Sequence, residues 1–323
     1  MIVRLGLAIV ALLAAAQAAA QPADPLRISL EALQALDTRV QSVGWRLVRG
    51  NAAYCRDLAP GIGLQLFDAA GFDDPAAVRK ALGFTRDIAV EAVAEGSPAA
   101  RAGLGGHQEL DAVAGRNGAA LPAAKPGDYA RLAGLHDALD AQLKQTGAAE
   151  IAPAGWPPLR IAGEPVCVTR FEMLSEGSRA SADGKRVVIG RKLVEELGDD
   201  ALLAAALAHE LAHNLLDHRA RLDREGRSWG KVRATEREAD RLSPWLLANA
   251  GYDPQAAVRF FGIWGPKHDL GLLATPDHDG WKERARRITA EIAGLEKARA
   301  ARGGAADWAR DFTIAGPGVT NPR

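Results

Sequence analysis

The stretch Asp199-Asp200-Ala201-Leu202-Leu203-Ala204-Ala205-Ala206-Leu207-Ala208-His209-Glu210-Leu211-Ala212-His213 decides how the rest of the chain is read. Alanine and leucine carry the highest helix propensities, and acidic side chains are favoured where a helix begins. The expected element is one long helix from Asp199 and Asp200 to about His218. On such a helix His209 and His213 lie one turn apart, about 40° around the axis, so both imidazoles can reach one tetrahedral Zn²⁺. Glu210 then sits beside that metal, where it can take a proton from a water whose pKa the metal lowers and pass it on to a leaving amine. One Zn²⁺ per chain is therefore expected. A purely structural zinc site is the competing reading, but such sites usually use Cys, and neither Cys55 nor Cys167 is near in sequence.

The third ligand separates the classes of zinc hydrolase. A metzincin places Gly at 216 and His at 219, where this chain has Leu216 and Arg219. His218 is one residue out of that register and reads as a solvated helix-end residue. Farther on comes Glu236-Arg237-Glu238-Ala239-Asp240, beginning 23 positions after His213. Either Glu236 or Glu238 is a candidate ligand. The combination of His-Glu-x-x-His with Glu-x-x-Ala-Asp at this distance resembles metallopeptidase family forty-eight, the gluzincin group that includes the CAAX prenyl proteases. The resemblance implies that Glu236 is the third ligand and that Asp240, one turn later, orients a zinc-bound imidazole through its other N–H. Ala180 to Ile189 resembles the family's turn and edge strand ahead of the zinc helix. Gly251-Tyr252-Asp253-Pro254 and the segment His278 to Ile288 resemble its C-terminal helices, which makes His278 and Arg284 further candidates. The last match is partial, because His278-Asp279 stands where the family commonly has His-Pro.

Working toward the N-terminus, Arg4, the apolar run Leu5 to Ala16 and Ala18-Ala19-Ala20 read as a cleaved export signal over residues 1–20. A helix of about 12 apolar residues would span only ~18 Å of a ~30 Å hydrocarbon core. No later stretch approaches 18 uninterrupted apolar residues, so no transmembrane segment is expected in the mature chain and membrane-bound prenyl-protein processing is excluded. The periplasm is the first expectation for location and full secretion the second. Lys plus Arg equals Asp plus Glu at 40 each, so no global field recruits nucleic acid or an acidic membrane. Two Cys cannot make a multi-bridge scaffold, but outside the reducing cytosol Cys55 and Cys167 can form one bridge. Two separate buried thiols are the alternative.

Between the two Cys the texture changes. Arg27 to Val48 has apolar residues near a 3.6 period and predicts a helix, with Ser29 as a candidate N-cap. From about Pro60 to Val166 short β-like runs alternate with Gly and Pro, and a helix is expected near Asp128 to Thr146. Gly61-Ile62-Gly63-Leu64, the segment Gly96 to Leu104 and the strand and turn ending at Asn117-Gly118 resemble, in that order, a PDZ domain. The resemblance implies that Gly61, Ile62, Gly63 and Leu64 form a loop whose N–H groups cradle a C-terminal carboxylate beside a strand edge that accepts peptide.

The expected fold class is α+β: a mostly helical zinc-peptidase domain over 166–302 with a small edge sheet, an N-terminal helix over 21–57 packing on it, an inserted PDZ-like module over 58–165 and a flexible tail over 303–323. The expected activity is zinc-dependent hydrolysis of peptide bonds in protein or peptide substrates, with the module selecting or positioning them. The alternative is a peptide-binding, chaperone-like protein with a vestigial zinc site.

Overall fold

The computed structural model describes residues 24–268, 279–304 and 306–314. The export signal expected over 1–20 and the candidate His278 lie outside the described residues. The chain starts with helix α1 (Pro25–Gly50), then β1 (Leu58–Gly61), β2 (Leu64–Asp68), α2 (Pro75–Leu82), β3 (Ile88–Val93), α3 (Pro98–Arg101), β4 (Leu110–Val113), β5 (Arg116–Asn117), α4 (Ala130–Thr146), β6 (Ala148–Pro153), β7 (Leu159–Ala162) and β8 (Glu164–Cys167). It continues through β9 (Arg170–Leu174), β10 (Ala180–Ala182), β11 (Arg186–Gly190), α5 (Arg191–Glu196), α6 (Asp200–Leu215), α7 (His218–Glu225), α8 (Trp229–Asn249), α9 (Gln255–His268), α10 (Trp281–Ala301) and α11 (Trp308–Asp311). Helices segregated from small sheets make this an α+β fold.

Two large apolar clusters organise it. One joins the C-terminal half of α1, through Val43, Trp45 and Leu47, to β9, β11 and the helices α6, α8, α9 and α10. The other fills the intervening unit, where Leu66, Val90, Leu110 and Ile151 from strands meet Leu135, Leu139 and Leu143 of α4. A third, small cluster sets Leu30 of α1 against Phe67 and Val78. Helix α1 is thus a spine shared by both parts, rather than a helix packed on the C-terminal part alone. It begins earlier than expected because Asp24, not Ser29, is the N-cap: its carboxylate accepts from the Leu26 N–H at 2.9 Å, and Pro25 opens the first turn. Gly44 lets α1 meet β9 at close range; a Cβ there would lie 2.4 Å from the Phe171 ring.

The ends of the intervening unit are drawn together. β1 and β8 run antiparallel, with Leu58 opposite Cys167 and Gly61 opposite Glu164. A disulfide joins Cys55 to Cys167 next to that ribbon, with a Cα–Cα distance of 5.6 Å. Arg170, at the start of β9, adds a polar tie by donating to Asp140 of α4 at 2.8 Å and to Asp137 at 3.1 Å.

Residues 306–314, expected as part of a frayed tail, pack instead. Trp308, Phe312 and Ile314 are buried in the main cluster, and the Trp308 indole N–H donates to Asn51 Oδ1 at 3.0 Å. Asn51 is itself fully buried and donates through Nδ2 to the Leu47 and Leu246 carbonyls. The Gly- and Ala-rich approach to this turn hid two aromatic anchors that cover the end of α1.

One polar feature crosses from the spine to the unit it carries. Asp37 of α1 and Glu91 of β3 place their carboxyl groups together, and burial pushes Asp37 up to about 7. Burial and the neighbouring Asp37 charge push Glu91 up to about 8. Both folded values lie above the ordinary carboxylate values near 4. Between about pH 4 and 8 the folded chain therefore keeps protons that the unfolded chain releases, so this pair's contribution is complete below about pH 4 and is lost progressively as pH rises to about 8. Thermal melts should show stability falling across that window in the wild type and a flatter profile in Asp37→Asn; parallel profiles would refute the assignment. Reducing the disulfide, which closes a 112-residue separation, should cost up to about 4–5 kcal/mol on the chain-entropy model, read from denaturant unfolding of oxidised and Cys55→Ser/Cys167→Ser protein.

Candidate metal centre

Helix α6 is the buried axle of the larger part. Asp199 caps it, accepting from the Ala201 N–H at 2.7 Å, and Leu202 to Ala208 are all buried. A helix apolar on every side belongs in a core, and α6 packs against α8, α9 and α1. Its C-terminus is clamped by Asn214, which accepts from the Gly184 N–H at 2.7 Å and donates to the Arg186 carbonyl at 3.2 Å. The β10–β11 hairpin is thereby held against the last turn of the helix.

α6 stops sooner than the sequence suggests. Leu216 caps it and Asp217 takes a left-handed conformation, φ 52°, before α7 begins at His218. This reversal swings His218 back under α6. Far from being solvated, His218 is 1% exposed, and its Nδ1 lies 3.0 Å from His213 Nδ1.

Helix α8 crosses α6 and brings three acids with it. Glu236 faces the two imidazoles: its Oε2 is 3.4 Å from His209 Nε2 and its Oε1 is 3.3 Å from His213 Nε2. The two Nε2 atoms are 3.2 Å apart. Tetrahedral coordination at zinc–ligand distances of about 2.0–2.1 Å puts ligand atoms about 3.3–3.4 Å from one another. The Nε2–Nε2 separation is close to that edge length, and Glu236 approaches the two imidazoles at similar range through different carboxylate oxygens. Among the described residues, His209, His213 and Glu236 form the one trio of metal-binding side chains that converges in this way. One potential ligand atom from each lies within 4.8 Å of those of the other two, a grouping that could hold a cation.

Charge around the trio is tightly managed. Asp240 Oδ1 lies 3.2 Å from His209 Nδ1, although the ring N–H is not aimed squarely at it. Arg284 grips the same carboxylate at both oxygens, 2.6 and 2.8 Å, and reaches toward Glu236 at 3.4 Å. The Phe261 ring lies against the guanidinium, 4.2 Å from its centroid. Burial would raise the Asp240 carboxyl, but Arg284 and His209 hold it below the usual range. Burial opposes a charge on His209 as well, yet the Asp240 and Glu236 carboxylates beside the ring push it up to about 10. Burial takes His213 the other way, down to about 3. Glu210, half-buried, follows His209 on α6, and its charge contributes to holding Arg284 protonated.

Of the residues singled out by sequence, His209, Glu210, His213, Glu236, Asp240 and Arg284 lie together here. Glu238, the rival ligand, turns away and accepts from His218 Nε2 at 3.0 Å and from Arg221 at 2.8 Å. Gly61, Ile62, Gly63 and Leu64 lie in the other unit, at the rim of a cleft of about 410 Å³ that α4 and the start of β9 also line. Sequence reasoning passed over Asn214, Arg221 and the true place of His218. For His218 the available signal was its spacing of five from His213, which a continuous helix would have wasted.

Residues 177–229 match the family described as Peptidase family M48. No curated protein matches the chain. The matched segment holds the β10–β11 hairpin, α6 and α7, and stops short of Glu236, Asp240 and Arg284, which only the crossing of α8 and α10 brings to it.

Arg284→Met should strand the buried Asp240 charge and cost about 3–5 kcal/mol. In urea unfolding, adding Asp240→Leu should recover most of that loss; additive losses would contradict a direct pair.

Proposed function

We propose that this chain, which belongs to peptidase family M48 through residues 177–229, is a zinc-dependent endopeptidase acting on protein or peptide substrates. The single observation carrying this is the convergence of His209, His213 and Glu236, whose potential ligand atoms lie within 4.8 Å of one another, with Glu210 next to them on α6. These three residues would hold one Zn²⁺, which when bound supplies Lewis acidity to a carbonyl and acidity to a water.

The chain's own residues do the rest. Glu210 takes a proton from the attacking water and returns it to the leaving amine, as general base and then acid. Asp240 holds the His209 ring by Nδ1 and so keeps its Nε2 lone pair pointed at the site. Arg284 keeps Asp240 ionised in a buried place where a lone carboxylate would be costly. β10 is the edge strand of the order β10-β11-β9 and lies alongside α6. Its open backbone groups suit an extended substrate segment.

The intervening unit is proposed to be a PDZ-like module that positions substrates by their C-termini. Support comes from the two-stranded order β2-β3, which leaves one edge of β2 toward α4, and from the Gly63 turn, φ +67°, where a Cβ would lie 2.5 Å from that of Ser97. His136 of α4, neutral because burial lowers it to about 3, accepts from the Leu66 N–H at 3.4 Å and takes up one group of that edge. Among the described residues no helix is long and apolar enough to cross a membrane. With the N-terminal signal pattern, this supports action in the periplasm.

The test is Glu210→Gln. The variant should retain one zinc per chain by elemental analysis, while cleavage of an unfolded protein such as reduced casein falls by about 10²–10⁴-fold. Undiminished cleavage would sink the assignment. Peptide binding without turnover by the zinc-loaded wild type would favour a binding protein instead.

A further inference from the structure

The two imidazoles facing the site are supported differently. Behind His209 stands a carboxylate, Asp240, with its arginine, Arg284. Behind His213, among the described residues, no carboxylate is in contact. Its Nδ1 instead meets His218 Nδ1 at 3.0 Å, His218 Nε2 meets Glu238 Oε2 at 3.0 Å, and Arg221 donates to the same Glu238 oxygen at 2.8 Å.

With a cation held by His209, His213 and Glu236, only one proton arrangement satisfies this row. Glu238, ionised beside Arg221, accepts only, so His218 Nε2 carries the hydrogen. A neutral His218 then has a bare Nδ1, which accepts from His213 Nδ1–H. That leaves the His213 lone pair on Nε2, the atom 3.2 Å from His209 Nε2 and 3.3 Å from Glu236. Reversing the Nδ1–Nδ1 link would place the His213 hydrogen on Nε2, where the cation would sit. His218 is 1% exposed and Glu238 is 6% exposed, so water does not compete for either contact.

We propose that His218, held by Glu238 and Arg221, is a positioning residue that fixes the tautomer and orientation of His213 for metal binding. It builds on the zinc reading above and adds to it a second, imidazole-bridged support that reaches the site from α7. The left-handed Asp217 is what makes it available: without that reversal His218 would leave with the helix.

Two measurements test this. In zinc-loaded wild-type protein, ¹⁵N spectra of the histidine rings should show His218 neutral, with Nε2 protonated and Nδ1 bare; a protonated Nδ1 overturns the proposal whatever any variant does. In competition with a chromophoric zinc chelator, His218→Leu should bind zinc about 10–100-fold more weakly than wild type. His218→Asn, whose Oδ1 can accept where Nδ1 did, should recover most of that loss. Equal zinc affinity in His218→Leu, or a His218→Asn as weak as His218→Leu, overturns the positioning role while leaving the zinc reading intact. A wild-type protein that takes up no zinc would overturn both.

Discussion

The larger part of this molecule has one electrostatic demand at its centre: two imidazoles and a carboxylate from two helices converge. Two imidazole Nε2 atoms and a carboxylate lie within 3.4 Å of one another. Such a cluster is repulsive unless a cation or proton occupies its centre, so the surrounding fold must hold it in place. α6 contributes through its buried, capped, nearly all-Ala/Leu length, which leaves little freedom to rotate the histidines away. α8 contributes through acids at 236, 238 and 240, of which the outer two face the trio while the middle one anchors His218.

The compensating cations come from outside those helices. Arg284 on α10 neutralises Asp240, and Arg221 on α7 neutralises Glu238. Buried ion pairs contribute little net stability, since desolvation offsets most of the attraction, but losing one partner is expensive. Their value here lies in orientation. Each pair fixes the acceptor behind one histidine, and the histidine's far nitrogen is thereby committed to the site.

The remaining chain is attached by constraint at a few points. α1 runs through both apolar clusters, the β1–β8 ribbon and the Cys55–Cys167 bridge close the base of the intervening unit, and Arg170 ties α4 to β9. This places the cleft beside Gly61 to Leu64 against the first residues of β9, a strand paired with β11 in the sheet next to α6. The Asp37–Glu91 pair sits on the same junction and makes the attachment sensitive to pH.

The sequence by itself determined the local chemistry. Helical spacing alone sets His209 and His213 one turn apart, the acidic pair Asp199 and Asp200 marks where α6 begins, and two Cys flanking a change of texture pointed to one bridge around an insertion. Those are properties of neighbours along the chain, within reach of period and propensity. What only the tertiary structure decided depends on residues far apart: which of Glu236 and Glu238 faces the histidines, that Arg284 rather than solvent meets Asp240, that Asn51 and Trp308 lock the C-terminal turn to α1, and that His218 turns inward. The physical reason is the same in each case. A helix fixes angles between side chains a few residues apart, but burial, and with it the need for each buried polar group to find a partner, is set by which helices cross. The reversal at Asp217 carries His218 from an expected position in solvent to a place behind the His213 imidazole.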